Sequence, residues 1–299
     1  MRKLLFCCLL TAVVTAVQAQ TKIVPLLQKG LVKAYTITTT TQLPGQKTIT
    51  TTAEATYTIV DATPEGYTLD IVNSNFTSNA MTDDIVSQIF SAAAELMTDQ
   101  KITVALNSDG QPQRILNYGE LRKLQEERCE KLVTKLMEQA PMLAQFMPKE
   151  TLNKTIMSHA SEENMLKILK DEANVLTLNG KTLAIGTQED YVNEKNMKMK
   201  RLYFVNGNTI TSNAVLNMTQ DEMKTLIIAE VENSMSAEQA KMVTENIDML
   251  MSSGQLKLDM QEKAEYKLEQ DNWVSNIKVD TVYETMGTKT TVTMTVSKK

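Results

Sequence analysis

Apolar and polar residues alternate with a period of two along several stretches, most regularly in ITTTAEATYTIV, residues 49–60. The odd positions carry Ile49, Ala53, Ala55, Tyr57 and Ile59, and the even ones carry threonines and Glu54. Such alternation predicts a strand with one dry and one wet face. Threonine, β-branched yet polar, suits the wet face. Just upstream, Leu31, Tyr35 and Ile37 share one face of a second strand, and LPGQ between the two reads as a turn at Pro44-Gly45. An even-length symmetric loop would pair odd positions with even ones and separate the apolar faces. The pattern therefore demands an odd-length loop or a bulge near Gly45. The threonines could also form an ice-binding array or a glycosylated stalk, but the alternation ends after two strands, and an amphipathic hairpin accounts for it.

The period then switches. Tyr67, Leu69 and Ile71 predict a third strand, whereas Ile85, Val86, Ile89, Phe90, Ala93, Leu96 and Met97 recur at helical spacing behind Thr82 as cap. Ile102, Val104 and Leu106 alternate before a turn at Asp109-Gly110 and a return through Ile115. Asn117 with Glu120 reads as a capping box for a helix whose apolar side is Leu121, Leu124, Leu132, Leu136 and Ala140.

The second half repeats this grammar. Two hairpins are predicted at Asn179-Gly180 and Asn206-Gly207. Two helices follow, announced by Thr219 with Glu222 and by Ser236 with Gln239, the later one striped by Ala240, Val243, Ile247, Leu250 and Met251. From Leu256 onward the chain alternates again. Strand blocks are thus expected at about 30–76, 100–117, 173–218 and 255–298, and helical blocks at about 82–98, 118–171 and 219–253. No Pro-, Gly- or Ser-rich linker divides them. The expectation is a single α+β domain over 20–299, a large curved antiparallel β-sheet, half-barrel-like, packed against Met-rich helices.

The amino terminus modifies this picture. Arg2 and Lys3 precede an apolar run from Leu4 to Val17, and small residues follow, the pattern of a signal peptide over 1–19 cut between Ala19 and Gln20. The run is shorter than the ~20 residues of a membrane span, so the mature chain is expected to lack a transmembrane segment and to be periplasmic or extracellular. Cys7 and Cys8 sit too early in the run for a lipoprotein site. Cys129 alone remains after cleavage, which excludes an internal disulfide. The net charge of −5 is spread without a basic block, which speaks against nucleic acid as a partner.

Candidate chemistry is sparse. His159 is the single histidine, too few for a zinc site built on several such ligands, and Ser158 and Ser161 beside it lack a nucleophile-elbow context. Phosphate-cradling glycine motifs are absent. No catalytic residue, metal site or cofactor is therefore expected, and the chain reads as a non-enzyme. Carboxylates leave a glycoside hydrolase open as a lesser alternative, although aromatics amount to 5% and Trp273 is the one tryptophan. Methionine is the oddity, at nineteen residues. Its flexible thioether fills irregular gaps or lines apolar sites that accept varied partners. Phe90, Met97, Met142, Leu143, Phe146 and Met147 are the candidate ligand groove.

LLQKGLVKAYTI, the PGQ turn, DATPEGYTLDI, VALNSDGQPQRILNYGEL and LEQDNWVSNIKVDT resemble an uncharacterised family of exported bacterial β-rich proteins. The architecture is similar to the half-barrels of periplasmic lipoprotein carriers, a likeness that implies an apolar ligand by analogy of fold. The sequence is thus read as an exported binding protein that shelters a lipid or other apolar small molecule between sheet and helices. The alternative is an envelope structural or interaction protein with a closed core.

Overall fold

The computed structural model describes residues 20–45, 47–79, 96, 98–139, 148–158, 160–193, 195–234, 237–253, 258–285 and 288–299. The chain runs through β1 (Thr21–Lys22), β2 (Val32–Gln42), β3 (Ile49–Thr63), β4 (Gly66–Ser78), β5 (Lys101–Asn107) and β6 (Pro112–Ile115). Helices α1 (Tyr118–Gln139), α2 (Lys149–Ser158) and α3 (Glu162–Leu169) follow. Next come β7 (Thr182–Leu183), β8 (Gln188–Val192), β9 (Lys198–Asn206) and β10 (Thr209–Leu216), then α4 (Gln220–Ser234) and α5 (Ala237–Ser252). Strands β11 (Leu258–Leu268), β12 (Val274–Thr285) and β13 (Thr288–Lys298) close the chain.

Eleven strands form one antiparallel sheet in the order β6-β5-β4-β3-β2-β13-β12-β11-β10-β9-β8. The first and last long strands meet in its middle, Val296 opposite Ile37. Each half of the sheet then grows outward from that central pair. Strands β2 and β3 pair odd with odd, Tyr35 opposite Ala55 and Thr41 opposite Ile49, about an apex at Gly45 with φ +73°. This is the odd-length loop that the apolar parity requires. Strands β9 and β10 turn through Gly207 and Asn208, with Gly207 at φ +60° in the first position, as a type II′ turn needs. Register shifts between Thr52 and Glu54 and between Ile59 and Asp61 mark bulges that bend the sheet. The edge strands β6 and β8 do not pair with each other among the described residues, so the sheet is not a closed barrel.

The main core lies on the inner face. Tyr35, Tyr57, Ile59, Leu69 and Ile277 meet Ile23 and Leu27 from the N-terminal segment, Met165 and Leu169 of α3, and Val175, Leu176 and Leu178 beyond it. Helices α1 and α2 make a second cluster around Cys129, Val133, Leu136, Leu152 and Ile156.

Three sequence expectations are corrected. Asn179-Gly180 is not a hairpin tip: residues 171–180 form successive tight turns, and β7 pairs with β1. The Asn179 side chain donates to Gly110 O at 2.9 Å and Gly180 N–H to Ile23 O at 2.7 Å, so the turn is committed to docking and the third strand block begins at Thr182. Asn117 does not cap α1; its amide oxygen accepts from Thr103 N–H at 2.9 Å and its amide nitrogen donates to Lys101 O at 2.8 Å, tying the helix start to β5. Leu124 is exposed, and the buried side of α1 runs through Leu121, Gln125, Cys129, Val133 and Leu136. The capping box at α4 is present in both directions: Thr219 N–H donates to Glu222 Oε2 at 2.9 Å and Glu222 N–H to Thr219 Oγ1 at 3.3 Å. Of the expected helix 82–98 only Leu96 and Thr98 are among the described residues; His159 and Ser236 lie outside them.

Candidate functional site

The two free edges of the sheet face a common seam, filled by the stretch from α3 to β8 and by the N-terminal segment. Glu162, in the first turn of α3, accepts the Ile115 N–H of edge strand β6 at 3.0 Å. Lys181 O and Gly180 N–H exchange hydrogen bonds with Ile23, and Lys22 pairs with Asp109 at 2.7 Å. A Cβ added at Gly180, whose φ is +72°, would lie 2.9 Å from the Asp109 Cβ and 2.8 Å from the Gln111 amide. The β5–β6 turn therefore sits directly on this plug, which holds the β6 edge through Glu162 and meets β8 through the Lys181–Glu189 pair.

A cavity of about 310 Å³ opens within the seam, between Gln113 of β6, Asp171 and Glu172 of the plug, and Lys181, Tyr191 and Arg201. Its wall is charged, and one cross-strand row explains why. Ile49, Thr41, Val292, Thr281, Glu262, Ala214, Arg201 and Glu189 are successive register partners across β3, β2, β13, β12, β11, β10, β9 and β8. All point to the inner face. The row starts apolar and hydroxylic in the middle of the sheet and ends on ionised groups at the seam.

Arg201 is 2% exposed and lies among three carboxylates. It pairs with Glu172, with Glu189 Oε2 at 3.2 Å and with Glu262 Oε1 at 3.8 Å, and its guanidinium stacks on the Tyr191 ring at 3.8 Å. Tyr191 in turn donates its hydroxyl to Glu262 Oε1 at 3.3 Å. Glu189 is fully engaged, accepting from Lys181 at 2.5 and 2.6 Å and from the Tyr203 hydroxyl at 2.7 Å. Burial pushes the Asp171 carboxyl up to about 6, against the opposing pull of Arg201 and Lys195. Glu172 Oε2, Arg201 Nε and Arg201 Nη2 have no hydrogen-bond partner among the described residues, and all three belong to the buried Glu172–Arg201 ion pair. None of these residues was singled out by sequence reasoning. The available signal was the odd parity of Met199, Arg201 and Tyr203, which sets an arginine among inward positions of β9.

A second group of charges lies beside Trp273. Lys33, 7% exposed, occupies an inward odd position of β2 and donates to Glu269 at 2.9 Å and Asp271 at 2.8 Å. Hydrogen bonds from Lys298 and Lys33 hold Glu269 below the usual carboxylate range. Burial opposes the same shift at Asp271, but Lys33 and the Trp273 N–H prevail and lower it too. Two carboxylates beside a tryptophan look like an acid–base pair, yet neither is the proton-loaded acid that glycoside hydrolysis needs.

The expected groove residues Phe90, Met97, Met142, Leu143, Phe146 and Met147 lie outside the described residues, as does Ala19; Gln20 is exposed ahead of β1. A buried methionine group does occur, but on the sheet: Met197, Met199 and Met260 cluster with Ala214, and Met218 packs partly against them. Among the described residues no helix is long and apolar enough to cross a membrane, and no group of three or more His, Cys, Asp or Glu is arranged to hold a metal ion.

No protein-family model matches the chain, and no curated protein matches it in sequence. Among solved structures, it is similar to lipovitellin, described for its lipid–protein interactions, with a TM-score of 0.40 and 9% identity over 92% of this chain and 25% of that one. The chain thus spans about a quarter of lipovitellin's length. An S-type phycobiliprotein lyase from Guillardia theta gives a TM-score of 0.21 and 5% identity over 89% of this chain and 86% of that one. An exported protein with a YmcC-like fold from Bacteroides fragilis gives 0.22 and 8%, over 92% and 98%. Likenesses this distant carry no argument about a ligand.

Proposed function

We propose that this chain is an exported, non-catalytic binding protein that shelters an apolar small molecule, such as a lipid acyl chain, against the inner face of its sheet. One observation carries the reading. From Ile37, which packs on the border of the core, the inner face of β2, β3 and β13 continues as a lane of Ile49, Ala53, Val292 and Met294, interspersed with Thr39, Thr41 and Thr51. Every one of these is only half-buried, as are the threonines on the opposite, outer face of the same strands. No described element covers the lane as the core is covered elsewhere. From Ile37 to Thr41 the lane is about 13 Å long at ~3.3 Å per residue, enough for part of an acyl chain.

The rival reading, an envelope structural protein, draws on the dry packing around Tyr35 and Trp273, both buried. Organic extraction of protein purified from its native host, followed by mass spectrometry, separates the two. A stoichiometric lipid, displaced in a Met294→Asp variant that keeps its circular dichroism, supports the binding protein. A blank extract overturns it.

A further inference from the structure

We propose that the ligand of the apolar lane is an amphiphile with an anionic headgroup, held at the rim of the sheet by Lys47 and Lys195. The inference rests on the lane reading above and adds the chemistry of the ligand's polar end. The lane runs from the core border at Ile37 toward the ends of the β2–β3 and β12–β13 hairpins. Lys47 lies two residues before Ile49 at the same odd parity, which places it on the inner side just past the last apolar residue of β3. Asn79 keeps the backbone here in line with the strand: Thr50 N–H donates to its Oδ1 at 2.6 Å, and its Nδ2 donates to Thr48 O at 3.3 Å. Lys47 is exposed and makes no hydrogen bond or ion pair among the described residues. Across the lane, Lys195 Nζ stands 4.0 Å over the Tyr283 ring. Tyr283 is in register with Thr290, and Val292 of the lane is the next inner residue of β13. Its turn is fixed by Asn193 Oδ1, which accepts from Lys195 N–H at 3.0 Å and from Met197 N–H at 2.9 Å.

The sign of the rim follows from where the carboxylates lie. Glu54, Asp280 and Glu284, in register with Thr36, Thr293 and Lys289, occupy even positions on the outer face. The inner-face carboxylate along the lane's own row is Glu262, two strands beyond Val292 and engaged by Tyr191 and Arg201. Lys33 stands at the opposite, core end of β2 and is committed to Glu269 and Asp271. A ligand whose tail lies along the lane therefore brings its polar end to two ammonium groups, which supply charge-assisted donors to an anion. A cationic amphiphile would meet like charges, and a neutral one would find only the hydroxyls of Thr39, Thr41 and Thr51. The charge of Lys195 also acts on the Asp171 carboxyl, so Lys47 carries the larger share of the attraction.

Four probes of one chain length, used below their micellar concentrations, test the headgroup by isothermal titration calorimetry of the purified protein: dodecanoate, dodecyl phosphate, 1-dodecanoylglycerol and dodecylamine. The two anions are expected to bind saturably, with the glycerol ester weaker by about tenfold and the amine weaker still, the scale of a charge-assisted hydrogen bond. Raising the salt concentration should weaken the anions and leave the ester as it was. The ratio of dodecanoate to ester affinity should fall about threefold in Lys47→Gln and about tenfold in Lys47→Glu. Lys47 is exposed, so both variants should keep the circular dichroism of the parent. Lys195→Gln should lower the same ratio by a smaller factor. Whether carboxylate or phosphate is preferred identifies the headgroup, and either preference over the ester supports the proposal. Ester and anions of equal affinity, a preference for the amine, or an unchanged ratio in both Lys47→Glu and Lys195→Gln would overturn it while leaving the lane reading intact. Binding of none of the four would overturn both.

Discussion

Arg201 and Glu262 meet over Ala214. The two lie on strands separated by β10, each in register with Ala214 from opposite sides, yet the guanidinium and the carboxylate approach to 3.8 Å. Strands two apart are about 9.6 Å from one another, so the side chains must arch across whatever stands between. Alanine leaves that path open.

Enlarging this residue is therefore expected to be costly. Ala214→Leu forces a branched side chain between two buried charges, combining an overpacking cost of about 1–3 kcal/mol with separation of the ion pair. Urea denaturation should show a loss of about 3 kcal/mol or more, whereas Val215→Leu, an exposed neighbour on the outer face, should change stability by less than about 0.5 kcal/mol.

The protonation of Asp171 gives a prediction of opposite sign. Its folded value of about 6 stands above the 3.8 of the free side chain, chiefly through burial. The folded form therefore binds a proton more tightly than the unfolded one. The stability from this group is fully present below pH 3.8 and is lost as pH rises through about 6. Asp171→Asn should stabilise the protein at pH 7 by about 1–3 kcal/mol, and thermal unfolding across pH 4–7 should show the gain shrinking toward acid.

The sheet was legible because parity is a strong signal. The dry odd face of β3 is Ala55, Tyr57 and Ile59, all buried, and the odd-length loop at Gly45 follows from keeping that face aligned with Tyr35. The pairing of β2 with β13 was not legible, since no local pattern says which distant strands adjoin. For the same reason the seam escaped notice: it assembles residues from β6, the plug, β8 and β9 that are remote in sequence. Asn179-Gly180 misled because the dipeptide favours a tight turn wherever one is needed. Here Gly180 turns the chain against the β5–β6 corner instead of between two strands. Methionine is buried on both kinds of element: Met157 and Met165 pack from helices, while Met199 and Met260, whose side of the sheet alternation decides, gather with Met197.

Closeness at that corner can be measured with two glycines. Gly180 and Gly186 both have positive φ, +72° and +85°, so alanine strains either backbone. At Gly186 the added methyl meets nothing within 4 Å, while at Gly180 it meets Asp109 and Gln111 at under 3 Å. Gly186→Ala should cost about 1 kcal/mol from backbone alone. Gly180→Ala should cost about 1–3 kcal/mol more, and hydrogen exchange should show faster opening at Ile23 and Gly180, whose amides bridge the seam.

Lys33 offers a test of the second buried charge cluster, with its own pH signature. Lys33 sits between Glu269 and Asp271 and 5.8 Å from the Trp273 ring centre. Both carboxyls are held below their unfolded values of 4.5 and 3.8, so the stability they contribute is present above those values and is lost as pH falls through the lowered ones. Lys33→Met keeps the apolar stem against the core but leaves the two carboxylates without their shared cation; Lys298 still reaches Glu269 at 2.6 Å. Since both carboxylates are about a quarter exposed, water recovers part of the loss, and a cost of about 1–3 kcal/mol is expected at pH 7. The wild-type protein should then lose this advantage on acidification, so that the unfolding curves of the two proteins draw together as pH falls below 3.8. A gap that stays constant below that pH would mean that Lys33 acts through packing of its stem on Trp273 and not through its charge.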